Sequence, residues 1–128
     1  MDVVERNLLN GLSGEVIGSA FRVSNELGCG YLEKVYENAL AVELREHGHH
    51  VAQQSALLVH YRGQVVGEYL ADLLVNNRLL VELKTVRNLD AVHEAQCMNY
   101  LRATNKRICL LFNFGLPRVE MKRIVWKF

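Results

Sequence analysis

The sequence predicts an α/β chain of the α+β kind, with a central mixed β-sheet of about five strands flanked by helices. Three observations predict it. Apolar residues recur at helical spacing through the first third of the chain. The middle then switches to Val-, Leu- and Tyr-rich runs separated by short polar turns. Finally, a capped helical segment separates the third run from a fourth that is almost entirely apolar. A strand meander followed by a crossover helix implies a mixed sheet with helices packed on it.

The elements follow in order. From Ser13 to about Leu27, Val16, Ile17, Ala20, Val23 and Leu27 mark one helix face, and Gly28-Cys29-Gly30 breaks it. A second helix is expected from about Tyr31 to Glu46, with Leu32, Val35, Tyr36, Ala39, Leu40 and Leu44 on its apolar side and Gly48 beyond its end. Ser55–Tyr61, Val65–Val75 and Leu79–Val86 read as three consecutive antiparallel strands, turning at Arg62-Gly63-Gln64 and at Asn76-Asn77. Asp90 is placed to cap a helix from Ala91 to about Thr104. Ile108–Phe112 reads as a strand buried on both faces. A loop over 113–118 leads to a last strand, Val119–Trp126.

Residues 1–128 are expected to form one domain, since the sequence carries a single proline and shows no linker, repeat or low-complexity stretch. Half the residues are apolar, yet no window approaches the roughly 20 consecutive apolar residues that span a bilayer. With acids in its first residues the N-terminus does not read as a signal peptide, and a cytoplasmic protein is expected. Cys29, Cys97 and Cys109 lack CxxC spacing and read as buried, reduced thiols. Fifteen basic and fourteen acidic residues give a net charge of +1, which supplies no general pull toward nucleic acid. The Arg102/Lys106/Arg107 and Lys122/Arg123/Lys127 groups read as ordinary solvated charges.

Asp72, Glu82 and Lys84 stand out because each sits inside an otherwise apolar strand. Burying an unpaired charge costs several kcal/mol, so such residues need a partner, a metal or an opening to solvent. Two carboxylates and a lysine on neighbouring strands would suit a divalent ion and phosphodiester hydrolysis. Turn parity decides whether they meet. A two-residue Asn76-Asn77 loop would set Asp72 opposite Val81 and send the acids to opposite faces. An odd loop, Asn76-Asn77-Arg78, sets Asp72 opposite Glu82, with Lys84 on the same face and Val81 and Leu83 on the other. The odd loop is the expectation, and asparagine tolerates the left-handed backbone it requires.

These residues resemble a known pattern. Asp72, nine spacer residues and Glu82-Leu83-Lys84 are similar to the D…(D/E)xK signature of the PD-(D/E)XK nuclease superfamily. Gly30-Tyr31-Leu32-Glu33-Lys34-Val35-Tyr36 resembles the motif that names the GxxExxY family placed in that superfamily. Gln96-Cys97-Met98-Asn99-Tyr100 resembles the Q-hydrophobic-x-x-Y element of its RecB-like and Cas4-like branches. The three appear in the expected order, and Ala71 stands where the superfamily's name has proline.

The resemblance implies a restriction-endonuclease-like core and a metal-dependent nuclease acting on DNA, or on RNA. It implies Mg²⁺ or Mn²⁺ held by Asp72, Glu82, the Leu83 carbonyl and Glu33, since hard oxygen ligands suit those ions. The ion would polarise the scissile phosphate and activate a water, while Lys84 orients that water or steadies developing charge. Gln96 and Tyr100, four apart on one helical face, would support the site or contact the substrate.

Blander readings exist for each residue. Asp72 and Glu82 could form a structural pair with Lys84, and Glu33 could be a solvated helix-start residue, with Glu37 one turn on as an alternative ligand. Tyr100 could be core. His47-Gly48-His49-His50 reads as surface imidazoles, His93 lies one turn before Gln96, and Trp126 and Phe128 read as packing or interface residues. The competing functions are a silent nucleic-acid- or protein-binding module keeping the fold, and an accessory subunit that cleaves only with a partner. A homodimer through the last strand is a further expectation.

Overall fold

The computed structural model describes residues 1–128 as three helices and five strands. They run α1 (Val3–Leu27), α2 (Glu33–Glu46), β1 (Val51–Tyr61), β2 (Gln64–Val75), β3 (Leu79–Lys84), α3 (Ala91–Thr104), β4 (Ile108–Asn113) and β5 (Glu120–Val125). The sheet order is β1-β2-β3-β4-β5, antiparallel except for the parallel β3–β4 pair that α3 connects. The predicted meander, crossover and mixed sheet are therefore present.

The boundaries depart from expectation where capping rather than apolar spacing decides. α1 begins ten residues early because the Asp2 carboxylate accepts the Glu5 N–H at 2.8 Å and starts the helix there. Its first turns leave Val3, Val4 and Leu8 exposed, so they carry no apolar stripe to read. α2 begins at Glu33 rather than Tyr31, since Gly30 sits at φ 113°, outside helical backbone. β1 begins at Val51, four residues before the alternating pattern shows itself. α3 matches its predicted span, with the Asp90 carboxylate accepting the Val92 N–H at 2.9 Å.

Three layers result. Leu79, Val81 and Leu83 of β3, with Ile108, Leu110 and Phe112 of β4, face α1 and α2 and join Leu12, Val16, Tyr36 and Leu40 in the larger core. Leu80, Cys109 and Leu111 face the other way and pack with Cys97 and Leu101 of α3. β4 is buried along its whole length, because it lies inside the sheet with a helix layer on each side. Of the cysteines, Cys97 and Cys109 are buried as expected; Cys29 is exposed, since its Gly-Cys-Gly break lies on the surface.

Asn113, at the end of β4, is fully buried and closes the sheet at this end. Its Oδ1 accepts the N–H groups of Val86 at 3.0 Å and Gly115 at 2.9 Å, and its Nδ2 donates to the Val86 carbonyl at 2.9 Å. A Cβ on Gly115 would come within 2.7 Å of the Val86 backbone, so only glycine allows this approach. Asn113→Ala would orphan three backbone groups, and a loss of roughly 1–3 kcal/mol in unfolding free energy is expected by denaturant titration.

Candidate active site

The predicted odd loop is present. Leu73 pairs with Val81, Leu74 with Leu80 and Val75 with Leu79, leaving Asn76-Asn77-Arg78 as the connection. Asn76 and Asn77 take φ of 51° and 56°, the left-handed values expected of them. Continued by one residue, this register sets Asp72 opposite Glu82.

At that pair the ladder changes character. The Asp72 N–H donates to Glu82 Oε1 at 3.0 Å, and the Leu83 N–H donates to Asp72 Oδ2 at 2.8 Å. Carboxylates therefore occupy places that backbone carbonyls hold elsewhere in the sheet. β2 also turns over here: Leu73 and Val75 belong to the core under α1 and α2, whereas Ala71 belongs to the one under α3. The two strands part at Asp72 and Glu82, and the carboxylates occupy the fork.

The fork has a backing that sequence reading did not find. Gln54 of β1 sits at φ 50°, which is rare for a non-glycine residue and strained in the middle of a strand. Its Nε2 lies 3.2 Å from Asp72 Oδ1 and 2.7 Å from Glu37 Oε1. Glu37 is itself buried, and its Oε2 accepts from Gln53 Nε2 at 2.7 Å and Lys34 Nζ at 2.8 Å. Weighed as an alternative ligand, Glu37 instead supports Asp72 through Gln54. Nothing in the Gln53-Gln54 pair marks this role, because only the positive φ and the neighbours across the sheet reveal it.

Electrostatics show how crowded with negative charge the fork is. Glu82 is only 3% exposed. Burial, joined by repulsion from Asp72, pushes its carboxyl up to about 9, against the Asp72 N–H and the Lys84 charge that lower it. Glu33, the first residue of α2, is raised by burial and then by Asp72, while Lys84 pulls it down. Tyr100 of α3 is pushed up to about 12 by burial and then by the charges of Glu82 and Asp72. The Asp72 charge thus acts on Glu82, Glu33 and Tyr100, and that of Lys84 on Glu82 and Glu33. Gln96 shares a groove with Tyr100 on the same face of α3. His93 does not join them; its Nδ1 accepts the Asp90 N–H at 3.1 Å and closes the helix cap. His49 is mostly enclosed rather than a surface imidazole, with Nδ1 3.0 Å from Asn76 Nδ2 and Nε2 3.3 Å from Glu15.

A profile of the PD-(D/E)XK nuclease superfamily matches residues 10–124, a span that includes every residue just named in the fork. The chain belongs to the PD-(D/E)XK nuclease superfamily. Its mixed sheet with helices on both faces is consistent with the restriction-endonuclease-like core of that superfamily. The crystal structure of SSO0001 shares the fold at a TM-score of 0.58 and 18% identity, over 75% of this chain and 51% of that one. This chain therefore spans about half the length of that structure. No curated protein matches.

PD-(D/E)XK nucleases generally use divalent metals. No three His, Cys, Asp or Glu side chains are gathered at ion-holding distance. The donor set nevertheless fits a hard cation. Asp72 and Glu82 form no ion pair, and Glu82 Oε2 accepts no protein hydrogen bond. Asp72, Glu82 and the Leu83 carbonyl are the groups that would hold such an ion, with Glu33 at the open side.

A consequence for stability follows. Between the ordinary carboxylate value of 4.5 and about 9, the folded chain keeps the Glu82 proton that the unfolded chain gives up. Its contribution to stability therefore falls as pH rises through that window. In EDTA, Glu82→Gln keeps the acceptor for the Asp72 N–H and removes the penalty. The melting temperature of the variant should exceed wild type by on the order of 5 °C at pH 8 and by little at pH 5. A gap that stays constant across that range would show that Glu82 is not held protonated.

Proposed function

We propose that this chain is a metal-dependent nuclease that hydrolyses phosphodiester bonds, acting on DNA first and RNA second. The observation that carries the reading is the fork, where two acids that form no ion pair lie within the field of Lys84 in a superfamily of nucleases. A bound Mg²⁺ or Mn²⁺ would supply Lewis acidity to the scissile phosphate and lower the pKa of a nearby water. Asp72 and Glu82 serve as its anchors, fixed beforehand by the Leu83 and Asp72 N–H groups. Lys84 orients the attacking water or steadies charge developing on phosphorus. Glu33 faces the same space from α2, and Gln96 with Tyr100 guides the substrate strand past the carboxylates.

Placement in the GxxExxY family, with features of the RecB-like and Cas4-like branches, rests on the Gly30–Tyr36 and Gln96–Tyr100 motifs. The first has a physical reading here. The Tyr36 hydroxyl donates to the Gly28 carbonyl at 2.7 Å and accepts the Tyr31 N–H at 3.2 Å. The motif's tyrosine, bonded to Gly28 just outside the motif and to Tyr31 within it, thus fixes the turn that precedes Glu33. The strand meander, the crossover and the fork assemble within one domain, which acts as a monomer or as a homodimer through the β5 edge.

The test is cleavage of supercoiled, linear duplex, single-stranded and branched DNA and of RNA, in Mg²⁺, Mn²⁺ or EDTA. Cleavage should vanish in EDTA and fall roughly 100-fold or more in Asp72→Ala and Lys84→Ala. Equal rates in wild type and both variants would mark a contaminant, and no cleavage anywhere would favour a silent module or a partner-dependent subunit. Mn²⁺ titration by calorimetry gives a readout free of activity. Gln54→Ala, which leaves every ligand in place, should weaken binding about tenfold through loss of support for Asp72. An unchanged affinity would remove Gln54 from the site.

A further inference from the structure

We propose that the groove beside the carboxylate fork seats an unpaired nucleobase of the substrate strand; the identity of the polymer rests on the nuclease reading above. The groove lies between the β1–β2 hairpin and α3 and measures about 720 Å³. That is within the roughly 300–1,000 Å³ of pockets that enclose small organic ligands. It opens next to the fork, because Gln96 and Tyr100 belong to its wall and Tyr100 packs in one cluster with Ala71, the residue before Asp72.

Its lining matches a base better than a phosphate backbone. Tyr69 of β2 is 50% exposed, with its ring centroid 5.5 Å from that of Tyr100, so one phenol rests on the core and the other presents a free face. A free aromatic face is what a base stacks on. Opposite it, Gln96 and Asn99 lie three apart on α3, and neither amide is engaged within the chain. Each offers a donor and an acceptor side by side, the pattern that reads a base edge. Ala95 and Ala103 keep the floor shallow. Arg102 is the one permanent cation in the lining. A duplex held through its backbone needs several phosphate-neutralising cations, which this groove lacks. A strand whose base is already unpaired meets neither that requirement nor the cost of unstacking.

Binding decides the matter without cleavage. A short oligonucleotide carrying 2-aminopurine is titrated in Ca²⁺, as single strand, as blunt duplex, and with an abasic site replacing the fluorescent base. The single strand should bind wild type about tenfold more tightly than the duplex, with its fluorescence quenched. Tyr69→Ala should lose roughly tenfold in affinity and the quenching, Tyr69→Phe should retain both, and the abasic strand should bind wild type as the intact strand binds Tyr69→Ala. Because Tyr69 is half-exposed and Phe keeps the ring, a mere folding defect would show in the melting temperature of the Ala variant alone. Equal binding of duplex and single strand, indifferent to Tyr69→Ala, overturns the proposal and leaves the groove to a protein segment. Absence of binding to every oligonucleotide overturns it as well. Tyr69-dependent binding with no cleavage in any metal would instead support the groove and sink the nuclease reading.

Discussion

Two carboxylates bonded to each other's strands at the point where β2 and β3 separate are the constraint on which the rest of the site depends. Asp72 takes the Leu83 N–H and Glu82 takes the Asp72 N–H, so the acids replace the sheet ladder as well as interrupting it. A buried acid would normally be neutralised by a lysine or turned toward water. Here the backbone amides hold both in place, and no cation is ion-paired with either, Lys84 acting only from a distance. The arrangement is satisfied as hydrogen bonding and unsatisfied as electrostatics, an imbalance that a bound cation would relieve.

The near-neutral charge of the whole chain hides a strongly uneven local distribution. Glu33, Glu37, Asp72 and Glu82 converge on the fork, and Lys34 and Lys84 are the cations that answer them. Lys34 is engaged with Glu37, a carboxylate already held by two glutamines. Lys84 is therefore the cation left to act on Glu82 and Glu33 together. A nucleic acid approaching such a site is repelled unless a divalent ion lies between the acids and the phosphate. A bound ion would thus serve binding as much as chemistry, which would let a chain of net charge +1 suit a polyanion.

Much of this was legible in the sequence because strand alternation has a strict period. Once the Asn76-Asn77-Arg78 loop is read as odd, the opposition of Asp72 and Glu82 follows from counting, and the structure's register agrees. The end of α3 at Asn105, in left-handed backbone, is a structural finding, whereas its start was legible because Asp90 marks it. Gln54 and Glu37 were not, since their roles depend on contacts 17 and 18 residues away in sequence and on a φ that no residue pattern announces. The start of α1 was missed for the opposite reason: a local cap decides it while the apolar stripe begins later. The parity argument also assumed straight strands. It placed Asp72 on a face, whereas the turnover at Ala71 places it in a gap between strands, which periodicity cannot express.

What keeps the fork open is a second set of bonds behind it. Tyr36 is fastened at its hydroxyl to the Gly28–Tyr31 turn, and its ring stacks on Phe114 at 4.9 Å. Phe114 follows Asn113, whose amide grips Val86 just past Lys84, and the Phe114 N–H donates to the Lys84 carbonyl at 2.9 Å. The start of α2 and the ends of β3 and β4 are thereby one connected body, so Glu33 and Lys84 cannot drift independently. Supports of this kind would hold the charges of the fork in place, the condition under which fixed charges stabilise a transition state rather than merely bind a ground state.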